Sequence, residues 1–407
     1  MRYVVQKGDT LIKIANRFGT SAMGILGANP SLERKKYLIP GQVVVVPDAV
    51  SAYETQAGDT LYCIARTFSV SLQELRTANP WLGSIAQEEM LGTGMALMIP
   101  PARMDGIVHT NEEYTPYDLT RDAAALQERY PFLQMETIGY SVAGKPLQAI
   151  RLGSGRKEVF YSGAWHANEW ITASVLMKFV EDMAQAYAEK EKLRGYDIEE
   201  IWDQFSIWIV PMVNPDGVEL SALGIDYAHP YYHEVLSINN GSDNFTGWTA
   251  NIRGVDLNHQ WPALWEEEAK TSPQAPFPRH YGGPYPLSEP EAYAVYEFTK
   301  NHDFMGVLAY HSQGQVIFWG FQHMEPAGSE EIVRRMQILS TYTPVHTADS
   351  FAGYKDWFIQ ERRRPGYTIE VGVGVNPVPV AQFDSIYNQN QGILLEAPLL
   401  FERYMDV

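Results

Sequence analysis

The chain opens on a short alternation of apolar and polar residues, Tyr3-Val-Val-Gln, that ends at Gly8-Asp9 and gives way to an apolar spacing of three and four at Leu11, Ile14, Ala15 and Phe18. The alternation predicts a strand and the spacing a helix. A second short helix is expected to stop before Asn29-Pro30, because proline disfavours helix at the residue before it. Residues 43–46 read as a closing strand. The same order returns 50 residues later, from Tyr53 through Gly58-Asp59-Thr60-Leu61, then Ile64, Ala65, Phe68 and Asn79-Pro80, to a closing strand at 96–99. Gly41 and Pro47 correspond to Gly94 and Pro100, a slip of three that a surface loop tolerates. Each repeat is a βααβ unit, with Asp9 and Asp59 expected as helix N-caps.

Beyond residue 101 the pattern changes to apolar strands alternating with helices. Strands are expected at 158–165, 205–213, 306–311 and 368–373, a helix at 171–190 and a helical tail after Asp384. Such alternation predicts an α/β fold with a mostly parallel or mixed sheet covered by helices on both faces. Ligands then meet the carboxyl ends of the strands. Residues 261–290, rich in proline and aromatics, read as a long ordered loop. The expected division is 2–48, 52–101 and 105–407.

Composition narrows the function. Hydrophobic residues make up 45% and aromatic residues 12% of the 407, which excludes wholesale disorder. The net charge of −18 disfavours nucleic acid and electrostatic attachment to an anionic membrane. It is unevenly spread: residues 1–101 hold nine basic against eight acidic side chains, and the rest 22 against 41. The single cysteine, Cys63, allows no intramolecular disulfide and is expected to be a small buried apolar residue. No apolar run is long enough to span a bilayer. The first residues show no basic-then-apolar leader, so a signal peptide is not expected.

The repeated pattern, Y-x-V-x-x-G-D-T-L-x-x-I-A-x-x-F followed by N-P and G-x-x-x-x-x-P, resembles the LysM domain in two copies. That resemblance implies binding of N-acetylglucosamine-containing glycan, as in peptidoglycan or chitin.

The remainder carries the chemistry. His166-Ala-Asn-Glu169 directly follows a predicted strand, and His311 ends another. A catalytic zinc needs three protein ligands and an open fourth position. These blocks fall in order with Val213-Asn-Pro-Asp-Gly217, Gly254-Val-Asp-Leu-Asn258, His311-Ser-Gln313, Asp356-Trp357 and Thr368-Ile-Glu370. The order and spacing resemble the zinc carboxypeptidase family, carboxypeptidase A type, over about residues 110–395. The resemblance implies that His166, Glu169 and His311 hold one Zn²⁺ per chain. It makes Asp256 the carboxylate that orients His166. Glu370 becomes the general base, taking a proton from the attacking water and passing it to the leaving amine.

The chain also departs from the digestive members of that family. Asn258 is followed by His259, not by the arginine that grips a terminal carboxylate. Ala348 stands where a mobile tyrosine is expected. Lys355, just before Asp356-Trp357, suggests a pocket for an acidic group. Arg253 is the candidate oxyanion stabiliser. The run Arg362-Arg363-Arg364, with Arg363 at its centre, is a second candidate for carboxylate recognition. These departures resemble the bacterial branch that cleaves peptidoglycan stem peptides between γ-D-glutamate and meso-diaminopimelate or lysine. The alternatives are a zinc carboxypeptidase acting on ordinary peptides and an inactive wall or spore-coat binding protein. The expected place is the cytoplasm of a sporulating bacterium, or its spore or cell wall.

Overall fold

The computed structural model describes residues 106–346 and 350–404 without interruption, and parts of the first 99 residues, chiefly 2–5, 41–45, 51–56, 58–61, 79–82 and 90–99. Asp9, Cys63 and Ala348 lie outside the described residues. The chain divides into two compact units, Met1–Gly106 and Ile107–Val407.

In the first unit, β1 (Arg2–Val4) pairs antiparallel with β2 (Val43–Val45), and β3 (Ser51–Glu54) with β4 (Ala96–Ile99). Each pair closes over its own small core: Val5, Ile14, Ile25, Leu32 and Val44 in the first repeat, and Leu61, Ile64, Leu75, Leu82, Leu91, Leu97 and Ile99 in the second. The Asn-Pro asparagines tie the parts together. The Asn79 amide donates to Leu75 O and Met98 O and accepts the Met98 N–H, joining the second helix to the closing strand. In the first repeat Thr10 Oγ1 accepts the Lys13 N–H. Asp59 turns back to accept the Gln56 N–H and the Tyr53 hydroxyl, both at 2.7 Å.

The second unit is built on a mixed eight-stranded sheet. Its strands are β5 (Gln134–Tyr140), β6 (Pro146–Leu152), β7 (Lys157–Ser162), β8 (Phe205–Val210), β9 (Val307–Ser312), β10 (Val316–Trp319), β11 (Thr343–His346) and β12 (Gly366–Val371). Their order across the sheet is β11-β10-β12-β9-β7-β8-β6-β5. The four central strands are parallel, and β6 and β10 join them antiparallel. All six residues of β8 and of β9 are buried, as helices on both faces require. One face is covered by the helices Ile171–Glu189 and Phe383–Tyr404, the other by an aromatic-rich layer that includes Phe160, Trp165, Trp208, Trp261, Tyr354 and Trp357. The helix Pro116–Arg129 starts at a complete capping box, with Thr115 and Asp118 exchanging bonds and Pro116 following the cap. Residues 261–290 do form a long connection, broken by the short helix Trp265–Ala269. Among the described residues no helix is long and apolar enough to cross a membrane.

Candidate metal centre and active site

At the end of β7 the chain turns sharply through Gly163 and Ala164, the latter in the left-handed region at φ 46°. That conformation costs an alanine about 1 kcal/mol and persists because its surroundings fix it. Asn214 is the main clamp. Its N–H donates to Ala164 O at 3.0 Å and its side-chain amide to Trp165 O at 3.1 Å. The same side chain accepts the Gly217 N–H and so caps the helix Pro215–Leu223. Gly217 tolerates no side chain, since a Cβ would lie 2.5 Å from Ala250 O. The Val-Asn-Pro-Asp-Gly block therefore acts on the His166 turn. Below that turn, Trp165 stacks on Tyr354 with ring centroids 5.2 Å apart.

Three side chains converge. His166 Nδ1 lies 3.0 Å from Glu169 Oε1, His311 Nδ1 lies 3.0 Å from Glu169 Oε2, and the two Nδ1 atoms are 3.3 Å apart. Zinc–nitrogen bonds of 2.0–2.1 Å place tetrahedral ligands roughly 3.3 Å from one another, so these atoms already have nearly the spacing a zinc ion requires. Two imidazole nitrogens facing each other cannot both carry a proton, and a cation between them removes the conflict. His311 Nε2 is buried without a hydrogen-bond partner. The donor set and its spacing thus fit zinc. Burial alone would raise the Glu169 carboxyl, but the two histidines outweigh it and hold it down to about 2.

Asp256 orients His166. Its Oδ1 lies 3.1 Å from His166 Nε2 and also accepts the Asn258 N–H, while Oδ2 accepts the His280 N–H. Burial works against its charge, yet His166, His259 and these donors keep it well below the ordinary carboxylate range. An ionised Asp256 accepts a hydrogen bond from His166 Nε2–H and leaves the Nδ1 lone pair pointing at Glu169 and His311.

Glu370 is level with His311 on the neighbouring parallel strand. Burial, then the charge of Glu169, pushes its carboxyl up to about 8, against a smaller opposing effect of His166. A carboxyl raised toward neutrality beside a metal-type cluster has the poise of a general base.

The other expected residues are placed unevenly. Arg253 sits three residues before Asp256, its Nε and Nη2 each 3.0 Å from Glu289 Oε2. Asn258 accepts the Tyr354 N–H, bracing the helix Tyr354–Arg362. His259 Nδ1 lies 3.3 Å from Glu268 Oε1, and Asp256 and Glu268 together raise its pKa despite burial.

Two of the expected residues have partners within the fold. The Lys355 ammonium is buried, donates to Gly320 O at 2.9 Å and pairs with Asp356. Arg363 caps the helix Tyr354–Arg362, three residues before β12 and seven before Glu370. Its neighbours bind carbonyls: Arg362 those of Thr299 and Lys300, and Arg364 that of Phe304 together with the Asp303 carboxylate. Replacing Lys355 by alanine should therefore act on stability, leaving Asp356 buried without its cation at a cost of about 3 kcal/mol. Denaturant titration checks this, and an unchanged midpoint would return Lys355 to a role in binding.

Asn376 is a residue the sequence did not single out. Its amide donates to Glu169 Oε1 at 3.2 Å and its oxygen accepts the Ser312 hydroxyl at 2.8 Å, bridging one cluster carboxylate to the strand that bears His311. Asn376→Ala is expected to weaken zinc binding about 10–100-fold, as loss of such outer partners does. Competition with a chromogenic chelator measures it.

With this geometry in place, the comparisons with known proteins define the class. The zinc carboxypeptidase family model matches residues 119–391, and LysM domain models match residues 3–47 and 53–100. The chain belongs to the zinc carboxypeptidase family and is a metallopeptidase carrying two LysM domains. It is 44% identical over 289 residues to gamma-D-glutamyl-L-diamino acid endopeptidase 1 of Lysinibacillus sphaericus, covering 71% of this chain and 73% of that protein. It is 36% identical over 302 residues to an uncharacterized protein of Bacillus subtilis strain 168, covering 73% and 80%. The fold is shared with bovine thrombin-activatable fibrinolysis inhibitor at a TM-score of 0.56 and 18% identity, over 73% of this chain and 99% of that one. The family is zinc-dependent, and the described residues supply His/Glu clusters able to hold the metal.

Proposed function

We propose that this chain hydrolyses the bond between γ-D-glutamate and meso-diaminopimelate, or lysine, in peptidoglycan stem peptides, while its LysM repeats hold N-acetylglucosamine-containing glycan. The observation that carries the reading is the extended identity with a γ-D-glutamyl-diamino acid endopeptidase over the unit that holds the His166, Glu169, His311 and Glu370 constellation.

His166, Glu169 and His311 hold one Zn²⁺, which supplies Lewis acidity at the scissile carbonyl when bound. Asp256 keeps His166 in the tautomer whose Nδ1 is free to ligate. Glu370 receives the proton of the attacking water on its carboxylate and delivers it to the departing amine nitrogen of the diamino acid. Arg253, steadied by Glu289, offers its guanidinium to the oxygen that becomes negative as the carbonyl turns tetrahedral. Asn258 and His259 follow Asp256 on the same short helical turn and are the candidates for contact with the stem peptide. His259 takes the place of the arginine clamp, and its charge is already matched by Glu268, which suits a substrate cut inside a stem peptide rather than at a terminal carboxylate. Glycan binding by the nearly neutral repeats raises the effective concentration of stem peptides around an acidic catalytic unit that would not attract them through its long-range field. Wall material of a sporulating bacterium is the matching substrate source.

Incubation with defined muropeptides, read by mass spectrometry, tests the reading. The expected products are L-Ala-γ-D-Glu, free or glycan-linked, and a fragment beginning with the diamino acid. Release of C-terminal residues from ordinary L-peptides without muropeptide cleavage would overturn it in favour of a general carboxypeptidase.

A further inference from the structure

Among the described residues, three groups of side chains are compact enough to hold a cation. One is the cluster above, and a second, Asp256 with His259 and His280, shares the carboxylate that orients His166. The third stands apart. His323, Glu325 and His346 bring one ligand atom each to within 4.8 Å of one another.

The fold builds this group from two neighbouring strand ends. β10 and β11 run parallel, with Trp319 level with His346. After Trp319 the chain turns back through Gly320 at φ 75°, Gln322 at φ 50° and His323 at φ 57°. Three left-handed residues in four fold the segment over the end of β11. The turn delivers Glu325 to His346, with Nε2 and Oε1 2.8 Å apart. The other carboxylate oxygen is fixed by the Phe321 N–H at 3.0 Å. The His346 ring is held edge-on against Trp319 with centroids 4.4 Å apart, and the exposed His323 ring lies 5.9 Å from it. The carboxylate is ionised, since His346 and backbone N–H groups outweigh its partial burial.

The geometry points to a second divalent transition-metal site at His323, Glu325 and His346, separate from the catalytic cluster. Two imidazoles and an anchored carboxylate are the donor set that suits Zn²⁺, and solvent can complete the coordination at the exposed His323 side. β10 runs antiparallel to β12, with Val316 opposite Glu370 and Trp319 opposite Tyr367. The group therefore lies three residues, roughly 10 Å along the sheet, beyond the level of Glu370. An ion there ties the 320–325 turn to the end of β11, and that turn supplies the Gly320 carbonyl that receives the Lys355 ammonium.

Equilibrium dialysis of the chelator-stripped full chain against micromolar zinc, followed by elemental analysis, provides the test. Two equivalents are expected in the parent, and a single equivalent in His323→Ala and in Glu325→Gln. His166→Ala should lose the other equivalent and keep this one. Cobalt gives an independent readout: the absorption it gains in His166→Ala should vanish when His323→Ala is added. A single equivalent in the parent, with Glu325 and His346 merely hydrogen-bonded, would overturn the site. So would a second equivalent that survives both His323→Ala and Glu325→Gln.

Discussion

Glu370→Gln is expected to keep its zinc and lose about 10²–10⁴-fold in kcat, with KM nearly unchanged. The substitution preserves shape and removes only the ability to accept a proton. Glu370 holds its place through the backbone, because its register beside His311 is fixed by the ladder between two buried parallel strands. Glutamine therefore leaves the three converging ligands where they are. Its effect belongs to the step in which a proton must leave the attacking water, which appears in kcat. Elemental analysis beside steady-state kinetics separates the outcomes. Full activity would remove Glu370 from the role of base, and a parallel loss of zinc would make it a ligand. Glu370→Asp gives a second reading. It retains the charge but withdraws it by one methylene, and a misplacement of about 1 Å costs about 10²-fold.

What could be read in the sequence and what could not separates along physical lines. Strands buried on both faces, β8 and β9, announce themselves by continuous apolar runs. The edge strands β5 and β11 are largely exposed or half-exposed, and their patterns carry little signal. His166, Glu169, His311 and Glu370 were legible because each stands in a short block at a strand end, where the backbone alone sets direction. The surroundings of Lys355 and Arg363 were not legible, for the opposite reason. A sequence displays the sign of a charge but not its partner, and the partners of Lys355 are its neighbour Asp356 and the distant Gly320 carbonyl. Asn376 gave no signal, since an asparagine before a proline reads as a turn, and its bond to Glu169 spans 207 positions.

Glu291→Gln is expected to stabilise the catalytic unit, and by more as the pH rises from 5 to 8. Glu291 opens the helix Pro290–Asn301 and is wholly buried. Its Oε1 accepts the Val142 N–H at 3.1 Å and its Oε2 lies 3.4 Å from the Asn251 amide. Burial dominates, and the charges of Asp216 and Glu289 add to it, against the helping backbone N–H groups; the carboxyl is pushed from 4.5 up to about 8. The folded protein thus keeps a proton that the unfolded chain has already released. Between those two values the folded state binds more protons than the unfolded state, so rising pH favours unfolding. The penalty is absent below 4.5, grows through the window and levels off above about 8, reaching an upper limit of about 5 kcal/mol. Glutamine reproduces the neutral carboxyl, keeps an oxygen for the Val142 N–H, gives up only the long 3.4 Å bond from the Asn251 amide, and has nothing to ionise. Urea denaturation of parent and variant across this range measures the difference. Its growth with pH is the expected signature, and equal slopes in the two proteins would show that Glu291 is ionised in the fold. The same buried carboxyl shares Asn251 with Glu289, the partner of Arg253, so relief of its charge also bears on how firmly that arginine is held.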